Sequence, residues 1–129
     1  QQLDSIIRKN GNEVERVNNS WRFTVVKRML LCITDENSNR MRIISPIVEI
    51  KELDSVYLSN ALIANFHSAL DVKYAISDDI LWSVFAHPLK ELTQDQVSDA
   101  IRQVFNAAAT FGDSYSSTDM FFPGNTPQD

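Results

Sequence analysis

Between residues 21 and 48 the apolar residues run in short blocks bounded by turn formers, and this middle segment cannot be helical throughout. Residues 21–25 alternate, residues 29–34 form one short apolar run, and residues 41–44 lead on toward Ile47 and Val48. Between the second and third blocks lies Asp35-Glu-Asn-Ser-Asn39, a cluster of turn residues. This pattern predicts three successive strands, most simply an antiparallel meander. The first connection, at residues 26–28, has no Gly or Asn-Gly signal. Pro46 cannot donate to a ladder and is expected at an edge or at the end of the third strand.

Helical periodicity frames this block. Leu3, Ile6 and Ile7 share one face of a short first helix that stops at Gly11, where a left-handed conformation is expected. Residues 53–70 contain no Gly or Pro and read as a helix capped by Asp54 or Ser55. Residues 72–76 and 80–86 flank Ser77-Asp-Asp79 and form a hairpin. Thr93 and Gln96 match a capping box, followed by Val97, Ile101, Val104, Phe105, Ala108 and Phe111 at helical spacing, in a helix that stops near Gly112 or runs on through Tyr115 toward Met120. The expected order is α-β-β-β-α-β-β-α. Strand runs broken by single helices predict an α+β domain with an antiparallel sheet and three helices, over residues 1–122, with a disordered tail over 123–129.

Two surfaces are more apolar than one small core requires. In the hairpin Ile80, Trp82 and Val84 oppose Leu81 and Phe85, and in the second strand Met29, Leu31 and Ile33 oppose Leu30 and Cys32. A sheet with one wet face alternates more cleanly than this. In the helix over 53–70, Val56, Ile63, Phe66 and Leu70 form a face spaced to pack on a sheet. Tyr57, Leu58, Ala61 and Leu62 form a second face that would otherwise meet water. A helix apolar nearly all round is normally covered, and a second copy is the expected cover, making these four residues a dimer interface. Trp21, Trp82, Tyr74 and Phe85 are candidate anchors, with Trp21, Trp82 and Phe85 assigned to a partner protein, since aromatic side chains dominate binding hot spots. They are equally what a small core is made of, and core is the expectation for most of the four.

Composition removes several function classes. The net charge of −5 and the lack of a basic stripe argue against nucleic acid and anionic membranes as partners. No apolar run is long enough to span a membrane. The lone Cys32 lies within an apolar run, which fits a reducing, cytoplasmic setting.

The segments Trp21-Arg-Phe-Thr24, Met41-Arg-Ile-Ile-Ser-Pro-Ile47, Leu62-Ile-Ala-Asn-Phe66 and Leu81-Trp-Ser-Val84, with the final helix from Leu92 to Gly112, carry a resemblance. In this order they resemble the type III secretion chaperone-like fold, and among its members the YbjN-like bacterial proteins described as sensory transduction regulators. The resemblance spans about residues 20–112. It implies a dimer built around the middle helix and an apolar surface that holds an extended segment of another protein.

Catalytic signatures do not appear. His67 and Asp71 stand four apart and would share a helical face, but no third ligand with zinc spacing is near. His87 precedes Pro88 at a strand exit, where a structural hydrogen bond is expected. Asp78 and Asp79 fill a turn. With three glycines and no Gly-x-Ser-x-Gly elbow, neither a phosphate loop nor a hydrolase nucleophile is present. The expectation is a non-enzymatic, chaperone-like or adaptor module with no cofactor, binding an unknown protein as a homodimer. The alternative is a regulatory or sensory domain that responds to a small molecule or to complex assembly.

Overall fold

The computed structural model describes residues 2–117. The elements are α1 (Gln2–Asn10), β1 (Asn12–Val17), β2 (Ser20–Val25), β3 (Arg28–Asp35), β4 (Arg40–Glu49), α2 (Ser55–His67), β5 (Lys73–Ser77), β6 (Ile80–Pro88) and α3 (Gln94–Ala109). A short 3-10 turn, Ile50–Glu52, joins β4 to α2. The six strands form one antiparallel sheet in the order β1-β2-β3-β4-β6-β5. The expected tail at 123–129 lies outside the described residues.

One strand more is present than the sequence predicts. β1 reads Asn-Glu-Val-Glu-Arg-Val, is exposed almost throughout, and is irregular between Asn12 and Glu15. An edge strand wet on both faces has no hydrophobic alternation to reveal it.

Alternation elsewhere separates two faces. Trp21, Phe23, Leu30, Cys32, Met41, Ile43, Leu81 and Phe85 are buried and join one core with Ile6 and Ile7 of α1 and Val97, Ile101 and Val104 of α3. Hydrogen bonds seat α3 on this side: Ser83 Oγ donates to the Val104 carbonyl at 2.9 Å and Tyr74 Oη to the Ala107 carbonyl at 2.7 Å. Each satisfies a hydroxyl that burial would otherwise strand at about 1–3 kcal/mol. At its start α3 carries the expected capping box of Thr93 and Gln96.

Pro46 corrects a second expectation. It lies inside β4, a central strand, and the pairing with β6 shifts register between Pro46 and Val48. A bulge is the other place a sheet tolerates proline. Beside it Ser45 Oγ donates to the Met29 carbonyl at 2.8 Å, beyond the last residue of β4 in register with β3.

Gly11 ends α1, but not through a left-handed backbone, since Gly112 is the described glycine with positive φ. What Gly11 provides is room. A Cβ there would sit 2.5 Å from Cδ2 of Phe23, whose ring is fully buried. Gly11→Ala is therefore expected to destabilise the fold by about 1–3 kcal/mol through overpacking. Denaturant unfolding reads this, and an unchanged midpoint would show that the ring moves freely.

The two-residue turn between β2 and β3 is strained. Val26 and Lys27 both adopt positive φ, 48° and 69°, where a β-branched residue is an outlier. The matching turn between β5 and β6 uses Asp78 and Asp79, which tolerate that conformation better. Replacing Val26-Lys27 with Asn-Gly (Val26→Asn, Lys27→Gly) should stabilise the protein by about 1–2 kcal/mol. The thermal midpoint should rise by several degrees; a fall would mean that the Val26 side chain makes contacts outweighing the strain.

Candidate functional site

The sequence reading and the structure agree that α2 is apolar nearly all round, and they disagree on which face turns inward. Val56, Ile63, Phe66 and Leu70 were expected on the sheet. They are 55%, 59%, 85% and 50% exposed, whereas Ala61 and Ala64 are buried. Alanines three apart let the helix lie close to the core, and the bulky side chains are left outside. Of the four expected interface residues, Ala61 is buried at 2% and Leu58 is half-buried against the core. Tyr57 and Leu62 are open at 40% and 69%. Ala61 thus packs within its own chain, and the outward surface is Leu62, Ile63 and Phe66 with Val56.

Beneath α2 lies an aromatic cluster around Phe111, which helical spacing placed on the final helix and which lies just past the end of α3. Phe111 stands 5.7 Å from Tyr74, 5.3 Å from Tyr115 and 6.2 Å from Tyr57 between ring centroids. Burial pushes the Tyr74 phenol well above its ordinary pKa. The segment after α3 is strapped down by hydroxyls: Ser117 Oγ donates to the Ala69 carbonyl at 2.6 Å, and Thr110 Oγ1 to that of Ser116 at 3.0 Å.

The second open surface is the face of the sheet opposite the core. Register places Leu31, Ile44 and Val84 in one row across β3, β4 and β6, all half-buried. Pro46 and Trp82 pair beside this row, and Ile33 is 40% exposed. Arg42 stands opposite Ile33, Glu15 opposite Arg22 in the outer strands, and Lys73 opposite Val84. Charges thus border the apolar row. Of the expected anchors, Trp82 lies on this face, half-exposed, with Nε1 donating to the Ser77 carbonyl at 3.0 Å. Trp21 and Phe85 correct the expectation. At 2% and 6% exposure they belong to the core, where strand alternation points them toward the helices.

Both ends of the sheet are guarded against strand pairing. At the β5 edge the Asn65 side chain occupies Tyr74 in the manner of a neighbouring strand. Its Oδ1 accepts from the Tyr74 amide at 2.9 Å and its Nδ2 donates to the Tyr74 carbonyl at 3.2 Å. At the other end β1 is charged and irregular, two devices that blunt an edge.

The titratable residues do not converge. α2 ends at His67, and Leu70 then takes positive φ, so Asp71 does not continue a helical face with His67. The His67 ring lies edge-on to Phe66, and the Asp71 carboxylate accepts from Gln103 Nε2 at 3.3 Å. His87 stacks on Phe85 and places Nδ1 2.8 Å from the Pro88 carbonyl oxygen, a local structural contact. Among the described residues no group of three or more His, Cys, Asp or Glu could hold a metal ion. No helix there is long and apolar enough to cross a membrane.

Cys32 is fully buried, and burial raises its thiol pKa to about 12. Near pH 8 only about one thiol in ten thousand would ionise, against a sizeable fraction once the chain unfolds. A disulfide reagent should therefore modify Cys32 no faster than the protein unfolds, and rapidly in guanidinium. Rapid modification in native buffer would show that the β2–β4 core opens locally.

No family model matches the sequence, and no curated protein matches it. Solved structures share its fold. A chain of the HopA1–SchA chaperone–effector complex is 11% identical and superposes with a TM-score of 0.66, over 85% of this chain and 89% of its own. A chain of the ExsC–ExsE complex gives 0.65 at 11% identity, covering 83% and 85%. The structure of the Yersinia pestis type III secretion chaperone SycH with a stable fragment of YscM2 gives 0.63 at 14% identity, covering 85% and 96%. At these identities the likeness establishes the fold, which is α+β and type III secretion chaperone-like.

Proposed function

We propose that this chain is a non-enzymatic, chaperone-like protein-binding module that pairs with a second copy through α2 and holds a partner segment on the outer face of its sheet. The observation that carries this reading is the presence of two separate apolar surfaces that no element among the described residues covers. Phe66 alone is 85% exposed, with Leu62 and Ile63 beside it. A monomer gains nothing by keeping such a patch in water, whereas a symmetric contact buries it twice. Neighbours of the same fold were solved as a chaperone–effector complex and as a chaperone with a protein fragment, which supports the same assignment. The lone buried thiol fits a cytoplasmic setting. Membership among the YbjN-like proteins rests on the sequence segments that resemble them.

Two substitutions separate the parts of this reading. Phe66→Asp, on a side chain that supports no core contact, should convert a dimer to a monomer in light scattering while helix content and thermal midpoint hold. A wild-type protein already monomeric would remove the second copy from the proposal. On the other surface Ile33→Asp and Trp82→Ala should abolish recovery of a partner that the tagged wild type brings down near stoichiometrically from lysate of the source organism. Equal recovery by variants and wild type would move the binding surface elsewhere.

A further inference from the structure

A cleft of about 300 Å³ opens where α1, the turn between β1 and β2 and the connection from β6 to α3 meet. No residue of α2 and none of the apolar row on the outer sheet face lines it, so it is independent of the two surfaces above. Its volume lies at the lower end of the roughly 300–1,000 Å³ typical of small-molecule sites.

The floor is apolar. Leu3 and Ile6 come from α1, Trp21 from β2, and Leu92 and Val97 from the start of α3. Trp21 and Val97 are buried and rigidly placed, Trp21 through Nε1 donating to Asp4 at 2.9 Å. The rim carries charge. Arg16 and Lys90 line it with one carboxylate, Glu36, so two cations less one anion leave one positive charge.

Arg16 is oriented. Its Nε donates to the Asn18 carbonyl at 3.1 Å, and the centre of its guanidinium lies 4.6 Å from the centroid of the Trp21 ring. Stacked on the aromatic floor, the fork keeps its terminal nitrogens for another acceptor. Neither Arg16 nor Lys90 is ion-paired among the described residues. The nearby Asp4 carboxylate accepts from Trp21 and Arg8, and these hydrogen bonds, with the charges of Arg8 and Arg16, hold its pKa below the usual carboxylate range. Arg16 feels this carboxylate but makes no ion pair with it.

An oriented guanidinium matches the planar, two-oxygen geometry of a carboxylate. One surplus positive charge matches one negative charge, and an apolar floor excludes a heavily phosphorylated ligand, which would leave charged oxygens against Leu and Val. We propose that this cleft binds a small monocarboxylate with an aromatic or branched aliphatic body. Arg16 and Lys90 grip the carboxylate, and the body lies against the half-buried side chains of Leu3, Leu89 and Leu92 beside the Arg16–Trp21 stack.

The test is a titration of the full chain with phenylacetate, indole-3-acetate and the neutral phenylacetamide, followed by nitrogen–proton NMR. The expected result is saturable shifts centred on the Trp21 indole N–H and the backbone amides of Lys90 and Leu92, with phenylacetamide at least tenfold weaker than phenylacetate. Arg16→Gln, at an exposed edge-strand position, should cost at least tenfold in affinity, and Lys90→Gln severalfold. The remaining signals report whether each variant is folded, and Lys90→Gln lies in a connection where loss of fold is not expected. No saturable shift with either carboxylate, equal affinity for acid and amide, or unchanged affinity in the folded variants would overturn the proposal.

Discussion

The structure depends on how α3 lies across the centre of the sheet. Val97, Ile101 and Val104 enter the layer formed by Met41, Ile43, Leu81 and Phe85, and Ser83 and Tyr74 reach up to carbonyls of the same helix. Two polar groups buried under a helix hold its register, because a shift along its axis would strand both hydroxyls at once. α1 then has one place to dock, beside α3, with Asn10 Nδ2 donating to Ser98 Oγ at 3.1 Å. The fold is shared with secretion chaperones although the sequences are only 11–14% identical.

A single sheet has two faces, and placing all the helix packing on one leaves the other dependent on its own side chains. Leu31, Ile44 and Val84 shield one another across three strands and are therefore half-buried. α2 follows a related logic. Its inward contact is made by Ala61 and Ala64, and the aromatic rings of Tyr57, Tyr74, Phe111 and Tyr115 fill the space that larger helix side chains would have taken. With the gap filled by these rings, Leu62, Ile63 and Phe66 are left exposed among the described residues.

This explains what the sequence could and could not disclose. The Ser77-Asp-Asp79 turn between two apolar runs and the capping box at Thr93 act over a few residues, and both were legible. The inward face of α2 was not, because an all-round apolar helix has no preferred direction in its own periodicity and hydrophobic size suggested the wrong one. Only the aromatic cluster decides it, and Phe111 and Tyr115 lie more than forty residues away from α2. Trp21 and Phe85 fit anchor and core alike by residue type, which says nothing about which sheet face the helices occupy; only their burial assigns them to the core. β1 was missed because its stability comes from pairing with β2, not from burial.

The treatment of edges and faces narrows how another chain can engage this one. At β5 the Asn65 amide already takes both backbone groups of Tyr74, so an added strand would have to displace two hydrogen bonds made within the chain. At β1 an added strand would meet Glu13 at positive φ, an irregular register and charged neighbours. Each change costs part of what new ladder hydrogen bonds would return. The faces carry no such obstacle: Phe66 and Leu62 on α2, and Ile33 and Trp82 on the sheet, meet water directly. Burying them gains free energy without first breaking anything in the fold. Association through faces rather than edges is therefore the mode this arrangement favours, with side-chain shape and apolar area, not backbone pairing, selecting the partner.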